Sequence, residues 1–309
     1  MTGSGLSADG AGPASGGALP QPATTDWHLL VRGALRRLSG SGVDSPRADA
    51  EQLAAHVMGL QTGAALARIL AGAQASADEA ARYGELVARR VERVPLQHLT
   101  GEASFHGVCL QVGPGVFLPR PETELLVEHT LAAVAGIDRP VLVDLCTGSG
   151  AVAAALAHAR AETGRPADVH AVELDPAAHR WAARNLEPLG VHLVLGDAAA
   201  ALSELDGTAD AVTVNPPYVP DGRLPAQPEA RLDPAIALYG GDAAGTRIPL
   251  TMATAAARLL RTGGVLTMEH DETHGPELVA AVRAQGAWAD VVGHQDLTGR
   301  PRWLHAVRA

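Results

Sequence analysis

Val141-Leu-Val-Asp144-Leu-Cys146-Thr147-Gly148-Ser149-Gly150-Ala-Val-Ala153 is the stretch on which the fold turns. An apolar, β-branched run opens it, and glycines follow where a strand must bend sharply into a helix. Glycine strips side chains from that turn, so the backbone can approach a ligand at the N-terminus of the next helix. Downstream, apolar runs over 169–174, 191–195, 210–214 and 264–268 continue the rhythm, with helical stretches of suitable length between the first four. That alternation is a βαβ series and predicts an α/β fold with a mostly parallel sheet. Two shorter strands near 288–293 and 303–307 flank a polar turn, so the last strand is expected to run antiparallel.

Upstream of this region the texture differs. Residues 1–24 are mostly Gly, Ala, Ser and Pro and are expected to form a disordered tail. Trp27, Leu30, Val31, Ala34, Leu35 and Leu38 then recur at helical spacing. Ser45-Pro46 reads as a second helix start, the serine capping and the proline at the first helical position. A third helix is expected around 63–71, and a fourth from Ser76 with Asp78 and Glu79 in its first turn. Residues 25–93 are therefore expected to form a small helical domain. Phe105, Val108, Leu110 and Val112 among glycines predict a β-hairpin connector over 94–118, and the α/β domain takes 119–309.

Composition narrows the chemistry. All 24 basic residues are arginine, which excludes Schiff-base, pyridoxal and P-loop mechanisms that need a lysine amine. The net charge of −10 weighs against DNA or RNA as a direct substrate, since phosphates demand a basic footprint. Two cysteines, Cys109 and Cys146, make no disulfide framework, and a reducing cytoplasm is the natural setting. No charge-free run of about 18 apolar residues is present, so no membrane span is expected. Asparagine occurs only at Asn185 and Asn215, and tyrosine at three positions, so a motif built from them carries weight.

Two motifs point to a site. Glu173 closes the second strand of the series, twenty positions on from Ala153, where an acid can accept both hydroxyls of a ribose. The Gly148-x-Gly150-x-x-Ala153 spacing by itself fits a dinucleotide as well as a methyl donor. Asp144 favours S-adenosyl-L-methionine, because a carboxylate there suits the donor's ammonium group and would repel a pyrophosphate. Asp197, after Gly196 at the end of the third strand, is placed to accept from an adenine amino group. The fourth strand ends in Val214-Asn215-Pro216-Pro217-Tyr218. The Asn215 side-chain oxygen and the Pro216 carbonyl are two acceptors that can hold both N–H bonds of a planar amide and aim its nitrogen. The prolines restrict φ, and Tyr218 can stack on the flat group.

Asn-Pro-Pro-Tyr behind Asp-x-x-Thr-Gly-Ser-Gly resembles the class I methyltransferases acting on planar amino groups. Further segments narrow the resemblance to the release factor glutamine methyltransferases (the HemK/PrmC type). These are Pro95-Leu-Gln97-His-Leu-Thr-Gly101, Phe105-His-Gly107, Leu118-Pro-Arg120-Pro-Glu122-Thr-Glu124, Ala237-Leu-Tyr-Gly-Gly241, Glu269-His270 and Asp296-Leu-Thr-Gly-Arg300-Pro-Arg302. They cover residues 26–309 in order. The resemblance implies a Rossmann-like, seven-stranded class I methyltransferase sheet. It implies methylation of the glutamine in the Gly-Gly-Gln loop of bacterial class I peptide chain release factors; the chain is expected to act as a monomer. Cofactor-binding positions carry over to Cys146, Thr147, Gly148, Ser149, Gly150, Glu173, Asp197 and Ala198, and glutamine-binding positions to Asn215, Pro216, Pro217 and Tyr218. The Pro-Arg-Pro-Glu-Thr-Glu segment is implied on the cofactor side, and the helical domain in docking the release factor.

Four positions depart from the family pattern: Cys146 and Asp271 where glycine is usual, His98 for tyrosine and His274 for glutamine. His270 and His274 have the spacing of a zinc pair but lack the helix that pairing requires, running instead into Gly275-Pro276. Other readings share the motifs: the same transfer to a ribosomal-protein glutamine or a DNA adenine, a dinucleotide-dependent oxidoreductase, or a binding protein without turnover.

Overall fold

The computed structural model describes residues 25–224 and 228–309; the expected tail, 1–24, lies outside the described residues. The chain divides into two compact units, with the boundary between Val91 and Glu92.

The first unit contains α1 (Trp27–Ser39), α2 (Pro46–Met58), α3 (Thr62–Leu70) and α4 (Ala77–Val91). Asp26 caps α1 by accepting the Leu29 N–H at 3.2 Å. Ser76 and Glu79 form a reciprocal capping box before α4, with bonds of 3.1 and 2.7 Å satisfying two otherwise orphaned donors. The expected cap from Ser45 is absent: its side chain makes no capping bond, and Pro46 alone pre-sets the first turn of α2. Trp27 meets Tyr83 edge-on at 5.4 Å, and the Tyr83 hydroxyl donates to the Ala50 carbonyl at 3.0 Å. Among the described residues no single helix is long and apolar enough to cross a membrane.

The second unit runs α5 (Leu96–Thr100), β1 (Glu102–Phe105), β2 (Val108–Gln111), α6 (Glu124–Ala133), β3 (Val141–Leu145), α7 (Ala151–Glu162), β4 (Asp168–Glu173), α8 (Pro176–Leu186) and β5 (His192–Leu195). It continues with β6 (Ala209–Val214), α9 (Ala235–Leu238), α10 (Arg247–Leu259), β7 (Leu260–Glu269), α11 (Gly275–Ala284), β8 (Trp288–Gln295) and β9 (Pro301–Arg308). Seven strands form one sheet in the order β5-β4-β3-β6-β7-β9-β8. The pairings from β5 to β7 are parallel, and β9 lies antiparallel between β7 and β8. Alternation along β3 sends Leu142 into one buried cluster with the α7 alanines and the hairpin, and Val143 and Leu145 into the other with α10. The sheet is therefore covered on both faces.

One expected helix is missing. Between β5 and β6 only a 3-10 turn, Ser203–Leu205, is present. The alanines at 198–201 favour helix, but Leu202 stands at φ 57°, a left-handed conformation that a helix cannot continue through. The β1–β2 hairpin turns on His106 (φ 43°) and Gly107 (φ 82°), the two positive φ values of a two-residue primed turn. Glu124 of α6 accepts the His106 N–H at 2.8 Å and ties this turn to the α/β core.

Candidate active site

The carboxyl ends of β3, β4, β5 and β6 open onto one cavity of about 620 Å³, within the range of about 300–1,000 Å³ usual for small-molecule sites. The sheet order reverses direction at β3, since β4 lies on one side of it and β6 on the other. A crevice at that reversal is where open α/β sheets bind ligands.

On one side stands the glycine loop. Asp144, Cys146, Thr147, Gly148 and Ser149 all line the cavity. Gly150 does not: at φ 83° it caps α7, and a Cβ there would lie 2.8 Å from Leu186. Its glycine serves helix packing. The Asp144 carboxyl is buried and accepts from the Thr147 and Thr213 hydroxyls at 2.5 and 2.8 Å. Burial pushes it up to about 6 despite these two bonds. Cys146 has φ 59°, which explains why glycine is the usual residue: a side chain in the left-handed region costs about 1–2 kcal/mol. Its sulfur lies 3.6 Å from that of Met252. Burial, and then the acids Glu173, Asp144 and Asp197, push the thiol far above its ordinary pKa, so it stays protonated.

Glu173 reaches across from β4. Its carboxyl accepts the Gly148 N–H at 2.7 Å and the Asp175 N–H at 2.8 Å, locking two loops together. Each oxygen retains a further acceptor site, and the side chain lines the cavity. Asp197 and Ala198 line it as well, with Asp197 also accepting the Ala199 N–H at 2.9 Å. An acid on β4, an acid after β5 and a glycine turn at a helix N-terminus fit an adenosine with a charged amino-acid tail.

Asn215, Pro216, Pro217 and Tyr218, following the adjacent strand β6, form another part of the cavity wall. Their support went unread in the sequence. Thr123, from the segment implied on the cofactor side, lies against this wall: the Asn215 amide nitrogen donates to its hydroxyl at 3.2 Å. The Thr123 hydroxyl donates to one oxygen of Glu269 at 2.6 Å, and the Tyr218 hydroxyl donates to the other at 2.7 Å. Glu269 is fully buried at the end of β7. Burial pushes its carboxyl up to about 7, against the two hydroxyl donors that hold it down. Burial likewise raises the Tyr218 phenol well above its usual value. Asn185 was also missed. From α8 its amide group donates to the Ser149 carbonyl at 2.9 Å and the Gln111 carbonyl at 3.0 Å, and accepts the Gln111 N–H at 2.8 Å. Its rarity was the available signal, and it clamps the glycine loop to the hairpin.

Two departures from the family pattern have visible roles. His274 stands at the N-cap position of α11 without a side-chain capping bond, its Nε2 lying 3.2 Å from the Tyr218 carbonyl oxygen, and Asp271 pairs with Arg223 at 3.3 Å. His270 and His274 do not share a helix; one follows β7 directly and the other precedes α11.

The family described as the PrmC N-terminal domain matches residues 30–101. The release factor glutamine methyltransferase of Streptomyces coelicolor is 46% identical over 283 residues, covering 90% of this chain and 97% of its own. That of Mycolicibacterium smegmatis is 43% identical over 286 residues, covering 92% and 98%. Among solved structures, the hMettl16 catalytic domain in complex with MAT2A 3'UTR hairpin 6 is alike in fold alone, with 16% identity and TM-score 0.51 over 74% of this chain and 81% of that one. Identity above 40% along nine-tenths of the sequence goes far beyond a shared fold, and the chain belongs to the release factor glutamine methyltransferase family.

Proposed function

We propose that this chain methylates the side-chain amide nitrogen of the glutamine in the Gly-Gly-Gln loop of bacterial class I release factors, using S-adenosyl-L-methionine. When bound, that cofactor supplies a sulfonium methyl group that leaves behind a neutral thioether. The chain's own task is positioning. Asp144 offers a carboxylate for the donor's ammonium group, Glu173 for its ribose and Asp197 for its adenine edge. An amide nitrogen is a poor nucleophile because its lone pair is delocalised, so fixing its orientation is the main lever available. The carrying observation is the Asn215 side chain: its nitrogen is engaged by Thr123, which leaves the oxygen as an acceptor for an incoming amide N–H. Pro216, whose carbonyl is the second acceptor this reading requires, and Tyr218, whose ring would stack on the amide, line the same cavity.

We assign the helical domain over 25–93 to docking of the release factor, the hairpin connector to 94–118 and the methyltransferase domain to 119–309, acting as a monomer in the cytoplasm. The test is incubation with radiolabelled donor and purified release factor, beside a factor whose loop glutamine is replaced. Label in the first and none in the second is expected. Equal labelling of both rejects the target, and label in ribosomal protein or DNA instead transfers the same chemistry to another acceptor.

A further inference from the structure

We propose that Glu269 is a positioning residue for this reaction: through Thr123 its carboxylate fixes which end of the Asn215 amide faces the acceptor, and directly it holds the Tyr218 hydroxyl. This rests on the glutamine-methylation reading and deepens it. Glu269 does not line the cavity, whereas Thr123, Asn215 and Tyr218 all do. It acts one bond behind them.

The argument is one of hydrogen-bond polarity. A hydroxyl carries a single hydrogen. An ionised Glu269 is acceptor-only, so Thr123 spends that hydrogen on it at 2.6 Å and has only lone pairs left for Asn215. Asn215 must then turn its NH₂ toward Thr123, at 3.2 Å, and its oxygen toward the cavity. That is the polarity that accepts an N–H from a glutamine amide. Protonation of Glu269 turns one carboxyl oxygen into a donor. Facing Thr123, it frees the threonine hydrogen to donate to an Asn215 oxygen, which flips the amide and presents NH₂ to NH₂. Facing Tyr218, it breaks the 2.7 Å bond in its present sense. Either way the acceptor wall loses its alignment.

The groups facing Glu269 set the pH at which this occurs. Burial raises its carboxyl to about 7, and Glu122, from the turn that carries Thr123, adds to the rise. Thr123 and Tyr218 lower it by hydrogen bonds, and Arg302 of β9 lowers it by charge. The charge on Arg302 is shared with Asp296 at 3.6 Å and Glu272 at 3.9 Å.

The test is the pH profile of release-factor methylation at saturating donor, with calorimetric donor binding alongside, in the wild type, Glu269→Gln, Thr123→Val and Thr123→Ser. Wild-type kcat at saturating donor is expected to fall about tenfold per pH unit below about 7, with donor affinity holding down to about pH 6, where Asp144 begins to protonate. Glu269→Gln, whose amide mimics the protonated acid, should lose about tenfold to a hundredfold in kcat and the pH limb with it, and keep its donor Kd within about twofold. Thr123→Val should match that loss, and Thr123→Ser should keep both rate and limb within about threefold, since it keeps the hydroxyl. Glu269→Gln with wild-type rate and limb overturns the inference while leaving the methylation reading intact. So does equal loss in Thr123→Ser and Thr123→Val, or donor binding lost in parallel with turnover in these variants at pH 7 and above, both of which assign the group to packing. The threonine pair decides the matter if Glu269→Gln fails to fold. A wild-type chain that labels no release factor overturns the methylation reading, and this inference with it.

Discussion

At the scale of single residues, the site rests on side chains whose neighbours dictate their state. Asn215 is held through its nitrogen, so its oxygen is free to aim an acceptor. Asn215→Ala is expected to lower kcat by about a hundredfold with donor binding unchanged by calorimetry, because only the acceptor loses its alignment. Asp144 gives a second prediction. Its carboxyl, raised to about 6 by burial, is ionised above that pH and neutral below it. Donor affinity should therefore weaken as pH falls through about 6, and Asp144→Asn should be weak at every pH. Calorimetry at pH 5, 6, 7 and 8 reads both. Asp144, Glu173 and Asn215 were legible in the sequence because each lies in the last two positions of a strand, or directly follows one, in a motif of fixed spacing. Glu269 stands in the Glu269-His270 pair, where its sequence neighbours give it no role. Its partner Thr123 lies 146 residues away, and nothing in a linear pattern joins them.

At the scale of elements, the cavity walls are braced from behind. Asn185 on α8 joins the glycine loop to β2 through three hydrogen bonds. Asn185→Ala is expected to weaken donor binding about tenfold while kcat at saturating donor stays near wild type, because the loop loosens and the acceptor wall does not. The loop from α9 into α10 braces the other wall. Val219 N–H donates to the Leu238 carbonyl at 2.7 Å, and the Gly240 N–H donates to the Val219 carbonyl at 2.9 Å. Gly245, at φ 74°, lies so close that a Cβ would fall 2.2 Å from the Tyr218 carbonyl oxygen. Gly245→Ala is expected to displace Tyr218 and lower kcat by about a hundredfold, with donor affinity nearly unchanged. Retained turnover in that variant would show the brace to be dispensable. The glycines of Ala237-Leu-Tyr-Gly-Gly241 were visible as a motif, but this packing against the transfer wall is a tertiary contact.

At the scale of the whole molecule, burying carboxyls near the cavity opposes stability at the pH where the chemistry runs. Glu269 and Asp144 have folded-state values of about 7 and about 6, above their unfolded 4.5 and 3.8. A raised carboxyl contributes stability that is full below the unfolded value and is lost as pH rises through the folded one. For Glu269 the difference between pH 5 and pH 8 is on the order of 2–3 kcal/mol, at about 1.4 kcal/mol per unit of pKa. Denaturant unfolding of the wild type and Glu269→Gln at both pH values should show the wild type losing that much more stability on going to pH 8. An equal pH response in the two proteins would place Glu269 in a solvated setting. The fold accepts this cost because both acids sit where the sheet ends and the site begins.

The sequence by itself determined the architecture of the second unit and the two walls of its cavity. Strand period, a glycine turn and the Asn215–Tyr218 motif are local signals, written in consecutive residues. It also carried the family, since the motifs recur in order along the chain. Only the tertiary structure decided what stands behind those walls. That β9 inserts between β7 and β8, bringing Arg302 toward Glu269, depends on pairing between strands distant in sequence. That β5 returns to β6 through a left-handed Leu202 and a 3-10 turn instead of a helix was likewise decided in the fold. The relay from Glu269 through Thr123 to Asn215 depends on three segments meeting. A buried proton and a single hydroxyl hydrogen acquire their meaning there, because only burial makes their direction count.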